Sequence, residues 1–443
     1  MDTSLDIKIS SSSIMKYALP TILSTIFMNV YSLVDSIFVA NLVGTDALTA
    51  TTITGPFLAI ALALGTMIAT GGSALVALQI GEGKSQKARQ NFSFFMVLAL
   101  FVSTVFGVLG IIFREPLLYT MGADETVYAL CEAYAIPIMI TIPFAMNSIL
   151  FQIFFITAGA PGLGFGLSLA GGIVNIILDY VLIAVFPLGI AGAGYATCSG
   201  YVLQSVIGVG YFLFHRKGDL YFVKPKFDGR ALLKACSNGA SEMVSMLAVT
   251  ITMLAMNIIL MDISGSDAAA ASAVIMSAQS LLSSLYMGYA MGIAPIISYN
   301  YGKQDQNNLK KIYQIAIKTI AVISVVTFVL VFPLARPIAL IFADGTEEVI
   351  HMAVEGIYIF AVAFLLMGFN MFASNMFTAL NDGKTSAILS FFRTLIFLIV
   401  PLLVLPPFLG VLGVWISMPL AEILSIVMTV FYFKRKKSVY HYA

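Results

Sequence analysis

The sequence predicts an all-α polytopic membrane protein, with twelve transmembrane helices in two six-helix lobes related by a pseudo-twofold axis along the membrane normal. Three observations carry this expectation. Of the 443 residues, 60% are hydrophobic and only 10% are charged, against about a quarter charged in an ordinary soluble protein. The apolar residues fall in runs long enough for the roughly 20 residues that cross a bilayer. The chain also matches itself at an offset of 221 residues, close to half its length.

The same numbers exclude several classes. A net charge of +1 with no basic tract outside short loops argues against a nucleic-acid partner. Three cysteines (Cys131, Cys198 and Cys236) are an odd number and make no disulfide framework. The chain opens with Asp2 and Asp6 and lacks a basic n-region, so the run from Ile14 is kept as a span rather than read as a signal peptide.

Apolar runs bounded by polar or Gly/Pro-rich breaks define the spans in order. The first two, 14–40 and 47–79, are parted by the turn around Asp46. A charged loop (Glu82, Lys84, Lys87, Arg89) precedes 91–112, and a mixed one (Arg114, Glu115, Asp124, Glu125) precedes 128–156. Pro161 opens 162–186, and Pro187 separates it from 190–214. The longest polar stretch, 215–235, lies at the midpoint. Beyond it come 236–262 and 268–298, divided by Asp262 and Asp267, then 311–332 after Lys303, Lys310 and Lys311. A loop with Arg336, Asp344, Glu347 and Glu348 leads to 350–379, followed by 385–405 and 411–433. Basic residues cluster in alternate loops and in Lys434–Lys437, so the positive-inside rule predicts a multi-pass protein of the plasma (inner) membrane with both termini cytoplasmic. The expected organisation is an N-lobe over 1–214, a linker over 215–235 and a C-lobe over 236–443.

The repeat is visible at several places. GTDALTA at 44–50 matches GSDAAAA at 265–271, Gly81 falls on Gly302, and LGIAG at 188–192 falls on LGVLG at 409–413. Glu132 pairs with Glu355, and Asn147 with Asn370, at an offset of 223. Six spans per half give both halves the same topology, a plan suited to alternating access.

A duplication shows which polar groups belong to one half alone. A mid-helix carboxylate costs about 2.5–3.5 kcal/mol on insertion scales, so it needs a reason. Asp35 falls on Met256 and Asp179 on Val400, so neither has an acidic counterpart. Both lie roughly 10 Å below the outer surface at 1.5 Å per residue. Thr197 enters at a similar depth, and Asn175 lies one turn below Asp179 on the same helix face. Together Asp35, Asn175, Asp179 and Thr197 form a candidate site for a proton or for a small hard cation such as sodium, which wants oxygen ligands. Two adjacent carboxylates would favour one of them holding a proton. The competing reading is a buried hydrogen-bonded network that orients helices.

Candidate substrate contacts are Glu242, which falls on Thr21 in the other half, with Met253, Met256, Tyr286, Tyr289, Asn147 and Asn370. Flexible methionine and aromatic surfaces suit apolar ligands of varied shape, although for any single one of them ordinary lipid-facing or core packing is the favoured reading. Glu422 and Arg393 lie mid-span and are expected to pair structurally. Glu132 and Glu355 are expected at the solvated mouth. No Walker-type motif, metal-ligand cluster or nucleophile elbow appears, so neither an ATPase nor an enzyme is expected.

VDSIFVANLVGTDALTA at 34–50 resembles the helix 1–2 signature of multidrug and toxic compound extrusion (MATE) transporters. VNIILDYVLI at 174–183 with GIAGAGYAT at 189–197 resembles that family's helix 5–6 segment, and GAPGLGF after the fourth span also fits. The resemblance covers nearly the whole chain. It implies a secondary-active antiporter that exchanges H⁺ or Na⁺ for amphipathic, often cationic drugs, with no cofactor beyond the coupling ion and no nucleic-acid partner. The expected partners are such small molecules and membrane lipids, and a monomer is expected. The family's helix 1 aspartate maps onto Asp35, its helix 5 asparagine and aspartate onto Asn175 and Asp179, and its helix 6 threonine onto Thr197. A helix 7 glutamate of some members is similar to Glu242. Members with a C-lobe cation site carry an acid in helix 10 near Asn370, so the departure favours the N-lobe. A lipid-linked sugar or lipid flippase is the alternative; it would need basic groups for a pyrophosphate, and Arg393 is the clear mid-span one.

Overall fold

The computed structural model describes residues 4–342 and 347–443, without the side chains of 36, 37, 40, 41, 45, 46, 48, 341 and 342. The expected loop acids Asp2, Asp46 and Asp344, and part of the 44–50 repeat motif, therefore lie outside the described residues. Among the described residues the regular structure is entirely helical. The elements are α1 (Ser11–Leu42), α2 (Thr45–Gly81), α3 (Ser85–Ile112), α4 (Arg114–Thr120), α5 (Tyr128–Thr157), α6 (Pro161–Asp179), α7 (Gly189–Phe214) and α8 (Gly229–Gly302). They continue with α9 (Gln306–Phe342), α10 (Glu347–Ala379), α11 (Gly383–Phe391), α12 (Phe397–Val404), α13 (Pro406–Leu409) and α14 (Val411–Tyr440). A π-helical turn, Tyr180–Val185, prolongs α6, and another, Phe392–Ile396, joins α11 to α12.

All twelve expected spans have a helix. At 74 residues α8 would be about 110 Å long, several bilayer thicknesses. Gly265, at φ 74° and ψ −159°, breaks it into two arms that coincide with the expected spans 236–262 and 268–298. Only glycine takes that conformation without strain. The short α4, in what the sequence suggested was a loop, tucks Leu118 into the interior. Large apolar side chains such as Phe101, Ile112, Val322 and Val427 are exposed at 62–66%, as expected where hydrocarbon, not water, is the solvent.

The chain divides into two compact units: Met1–Ile7 with Leu23–Gly239, and Lys8–Ile22 with Ala240–Ala443. Two boundaries differ from the expected lobes. The start of α1 groups with the second unit, where Gly292 leaves room for Ala18. The segment 215–235 is not a free linker but part of the first unit. Asp219 Oδ2 accepts from the Ser4 amide at 2.8 Å, its carbonyl accepts from Arg89 Nε at 2.9 Å, and Phe222 stacks on Phe92 at 5.2 Å. Within this unit α2 and the start of α8 touch backbone to backbone. A Cβ at Gly71 would strike the Ala235 carbonyl, and one at Gly239 the Met67 carbonyl. Such contacts are how small residues let membrane helices approach.

In the second unit Asp382 caps α11. Its carboxylate accepts from the Thr385 amide at 3.2 Å and hydroxyl at 2.7 Å, and from Lys436 Nζ on α14 at 2.8 Å. Burial pushes its pKa up, but the bonds from Lys436 and Thr385 outweigh burial and leave it below the ordinary value. A lowered carboxyl pKa stabilises the fold above the unfolded value of about 3.9, and that contribution is lost as pH falls through the folded value. Asp382→Asn keeps a capping oxygen but loses the charge that Lys436 meets, and should lower stability at neutral pH by up to about 1 kcal/mol. The difference from the parent should be smaller at about pH 3 than at neutral pH in thermal unfolding of purified protein. An equal deficit at both pH values would refute the assignment.

Candidate functional site

Three helices of the first unit each contribute two polar residues one turn apart, so that both face the same way. These are Tyr31 and Asp35 on α1, Asn175 and Asp179 on α6, and Thr197 and Tyr201 on α7. Glycines bring the helices together. A Cβ at Gly200 would lie 2.9 Å from the Gly171 carbonyl and 3.7 Å from Asn175 Cβ, so α7 lies against α6 at the level of the site. Gly172 admits the rings of Phe27 and Tyr31 from α1. Asp179 is wholly buried and is the last residue before the π turn; such turns recur at functional sites.

Asn175 Nδ2 donates to Thr197 Oγ1 at 3.4 Å. Asp35 neighbours both Asp179 and Asn175. Tyr134 on α5 adjoins Thr197, and Tyr31 adjoins Tyr201. Asp35 Oδ1, Asn175 Oδ1 and both carboxylate oxygens of Asp179 are buried and accept no hydrogen bond among the described residues. Buried polar atoms are nearly always satisfied in folded proteins, so four orphaned oxygens in one place need a reason. A shared proton or a small hard cation would satisfy them. The sequence reading brought forward Asp35, Asn175, Asp179 and Thr197, and the structure gathers all four. It missed Tyr31, Tyr134 and Tyr201. For Tyr31 and Tyr201 the signal was present, each being one turn from a chosen residue.

Gly200→Leu should force α7 off α6, cost about 1–3 kcal/mol by overpacking, and part Thr197 from Asn175. The expected result is a lower unfolding temperature with reduced transport. Full transport in this variant would show that the α6–α7 approach is dispensable.

The candidate substrate residues do not form one group. Glu242 is 3% exposed on the first arm of α8. Met256 and Tyr286 belong to the apolar core of the second unit, whereas Met253 is exposed. Tyr286 donates its hydroxyl to the Phe364 carbonyl at 3.0 Å, and Tyr289 is fully buried. In the first unit Asn147 donates to the Pro143 carbonyl of its own helix at 2.8 Å. Asn370 on α10 is held by Glu422 and Thr429 on α14, at 2.7 and 2.8 Å. The expected pair forms: Arg393 binds both carboxylate oxygens of Glu422, with Nη2 2.7 Å from Oε1 and Nε 3.2 Å from Oε2. Glu132 is partly exposed and pairs with Arg114 at 2.6 Å. Among the described residues no group of three His, Cys, Asp or Glu is placed to hold a metal.

The MatE family model matches the chain twice, over residues 20–181 and 243–403. The second match begins 223 residues after the first, one of the two offsets of the internal repeat. The multidrug export protein MepA of Staphylococcus saprophyticus subsp. saprophyticus is 25% identical over 414 residues, covering 92% of this chain and 90% of that protein. MepA of Staphylococcus aureus (strain MRSA252) is 23% identical, covering 93% and 90%. The crystal structure of MATE in complex with MaL6 shares the fold at a TM-score of 0.94, with 20% identity and 99% of each chain covered. So does an outward-facing multidrug resistance MATE family transporter of the MOP superfamily, at a TM-score of 0.91, 22% identity and full coverage of both chains. With the family model matching well over half of its length, and with this fold, the chain belongs to the MATE family: it is a multi-pass membrane transporter and not an enzyme.

Proposed function

We propose that this chain is a secondary-active antiporter that exports amphipathic, often cationic drugs or toxic compounds in exchange for H⁺ or Na⁺, by alternating access. The observation that carries the reading is the set of four buried, unbonded oxygens on Asp35, Asn175 and Asp179. Asp35 and Asp179 would take the incoming ion, Asn175 and Thr197 would orient it, and Tyr31, Tyr134 and Tyr201 would line its surroundings. Filling the site neutralises a charge whose burial is costly, so the ion biases which conformation the protein adopts. Glu242 would contact the positive charge of the substrate. The export of drugs is supported by the MepA proteins, which are named as multidrug exporters. The protein would sit in the plasma (inner) membrane as a monomer with both termini cytoplasmic, as the loop charges suggest.

The deciding experiment uses everted membrane vesicles with ethidium supplied in the outside medium. A proton gradient and a sodium gradient are imposed separately. One of them should drive accumulation well above that of vesicles lacking the protein. If neither gradient drives it while the protein is inserted, the reading fails.

A further inference from the structure

Each unit carries a cluster of aromatic rings at the end where its sixth span finishes. In the first unit Phe92 on α3 lies 4.9 Å from Phe154 on α5 and 4.8 Å from Phe212 on α7, ring centre to ring centre. In the second, Phe433 on α14 lies 5.5 Å from Tyr313 on α9 and 5.8 Å from Phe377 on α10. These are the same positions of the repeat. Phe92 falls on Tyr313 and Phe212 on Phe433 at the offset of 221, and Phe154 falls on Phe377 at 223. Each cluster takes one more ring from beyond its helices. Phe222, past the end of α7, lies 5.2 Å from Phe92 and 6.2 Å from Phe212. Tyr442, past the end of α14, lies 5.0 Å from Tyr313, 6.1 Å from Phe433 and 6.5 Å from Phe377. The polar link is repeated too. The Phe212 carbonyl accepts from the Phe222 amide at 3.0 Å, and the Phe433 carbonyl accepts from the Tyr442 hydroxyl at 2.8 Å. The routes differ: the first half uses a polar loop, the second a longer helix reversed at His441, whose φ of 53° is left-handed. Two routes that bring one ring to one socket make the socket, not the loop, the feature the halves share. Tyr442 is fully buried although it follows a helix end, where a chain is ordered only when it is tied down.

We propose that Phe222 and Tyr442 are positioning residues for transport: each closes an aromatic clasp that fastens the third, fourth and sixth spans of its own unit into one body. The proposal rests on the alternating-access reading above and deepens it. A bundle that changes access by rigid-body motion has to move as a whole. Helix ends resist this, because their last carbonyls lack partners within the helix and their turns open easily. Rings suit the task where spans end. Their faces and edges attract one another over about 4.5–7 Å, and a tyrosine hydroxyl still finds a polar partner. Neither clasp includes Asp35, Asn175, Asp179 or Thr197, so its loss should slow the change of state without changing what binds.

The test uses Tyr442→Ala and Phe222→Ala in the full-length protein, with three readouts. Ethidium binding is read by fluorescence anisotropy, ethidium transport in proteoliposomes per folded molecule, and backbone hydrogen exchange by mass spectrometry. In Tyr442→Ala, exchange should rise about tenfold over 306–316, 372–380 and 430–440 and keep its parental rate in the first unit. Phe222→Ala should do the converse, over 85–95, 151–157 and 208–214. In both, the maximal transport rate should fall about fivefold, while the dissociation constant for ethidium stays within about twofold of the parent. Tyr442→Phe keeps the ring and should restore most of the rate. Where an alanine variant does not fold, leucine at the same position decides, because it fills most of the volume without a ring and should show the same split between rate and affinity. Exchange that rises equally in both units, or not at all, overturns the proposal. Faster local exchange with a parental transport rate makes the clasp packing alone and also overturns it, as does a loss of affinity that matches the loss of rate. If the parent itself neither binds nor moves ethidium, the export reading has failed and the positioning role with it; if the parent is active and the variants match it, only the positioning role is lost.

Discussion

Asp35→Asn should reduce drug efflux by about a hundredfold, the upper range of ordinary coupling between two sites, without harming insertion or stability. The same holds for Asp179→Asn. Both expectations follow from one observation, that Asp35 Oδ1 and both Asp179 carboxylate oxygens accept no hydrogen bond among the described residues. Removing an acceptor that no donor satisfies breaks no bond. It also removes a charge whose placement in the membrane costs about 2.5–3.5 kcal/mol. The variants should therefore unfold at or above the parental temperature. What they lose is the ability to change charge, which a site exchanging H⁺ or Na⁺ requires. Asn175→Ala and Thr197→Ala change no charge and should lower efflux only about fivefold, the lower end of such couplings. Parental ethidium efflux by Asp35→Asn in intact cells, with the protein at its normal level, would remove this site from the mechanism.

Much of this was legible in the sequence because the membrane simplifies the problem. Spans announce themselves as apolar runs, and all twelve have helices. The repeat made Asp35 and Asp179 conspicuous as acids without counterparts, and helical spacing put Asn175 beside Asp179. Other features were hidden for physical reasons. Apolar periodicity separates core from surface when water surrounds a helix, but not when lipid does. Met253 and Met256, both offered as substrate contacts, therefore part company, one exposed and one in the core. Tyr286 and Tyr289 read as a ligand surface and are instead packed inside. The 215–235 segment looked like a linker because it is polar. Its order comes from distant partners, Ser4 and Arg89 on Asp219 and Phe92 under Phe222, that no local pattern reveals. Tyr134 was missed for the same reason, since it reaches the site from α5, on which no ion-site residue had been chosen.

Glu422→Ala should do the opposite of Asp35→Asn and destabilise the protein by about 3–5 kcal/mol. Both are acids within membrane helices, so residue type and depth do not distinguish them; their partners do. Glu422 is 1% exposed and accepts from Arg393 and Asn370. Removing it leaves the guanidinium buried without a counter-charge, frees one amide of Asn370, and opens a cavity. Arg393→Ala should cost a similar amount, because it strands the carboxylate instead. Replacing both at once, as Arg393→Met with Glu422→Leu, fills the volume with apolar groups and leaves no buried charge. Such double replacements are often neutral or stabilising, so the double variant should be more stable than either single one. This non-additivity identifies a desolvated pair rather than two independent contributions, and thermal unfolding of the four proteins in detergent measures it. If the two single losses simply add in the double variant, the pair is not the organising feature of α12 and α14.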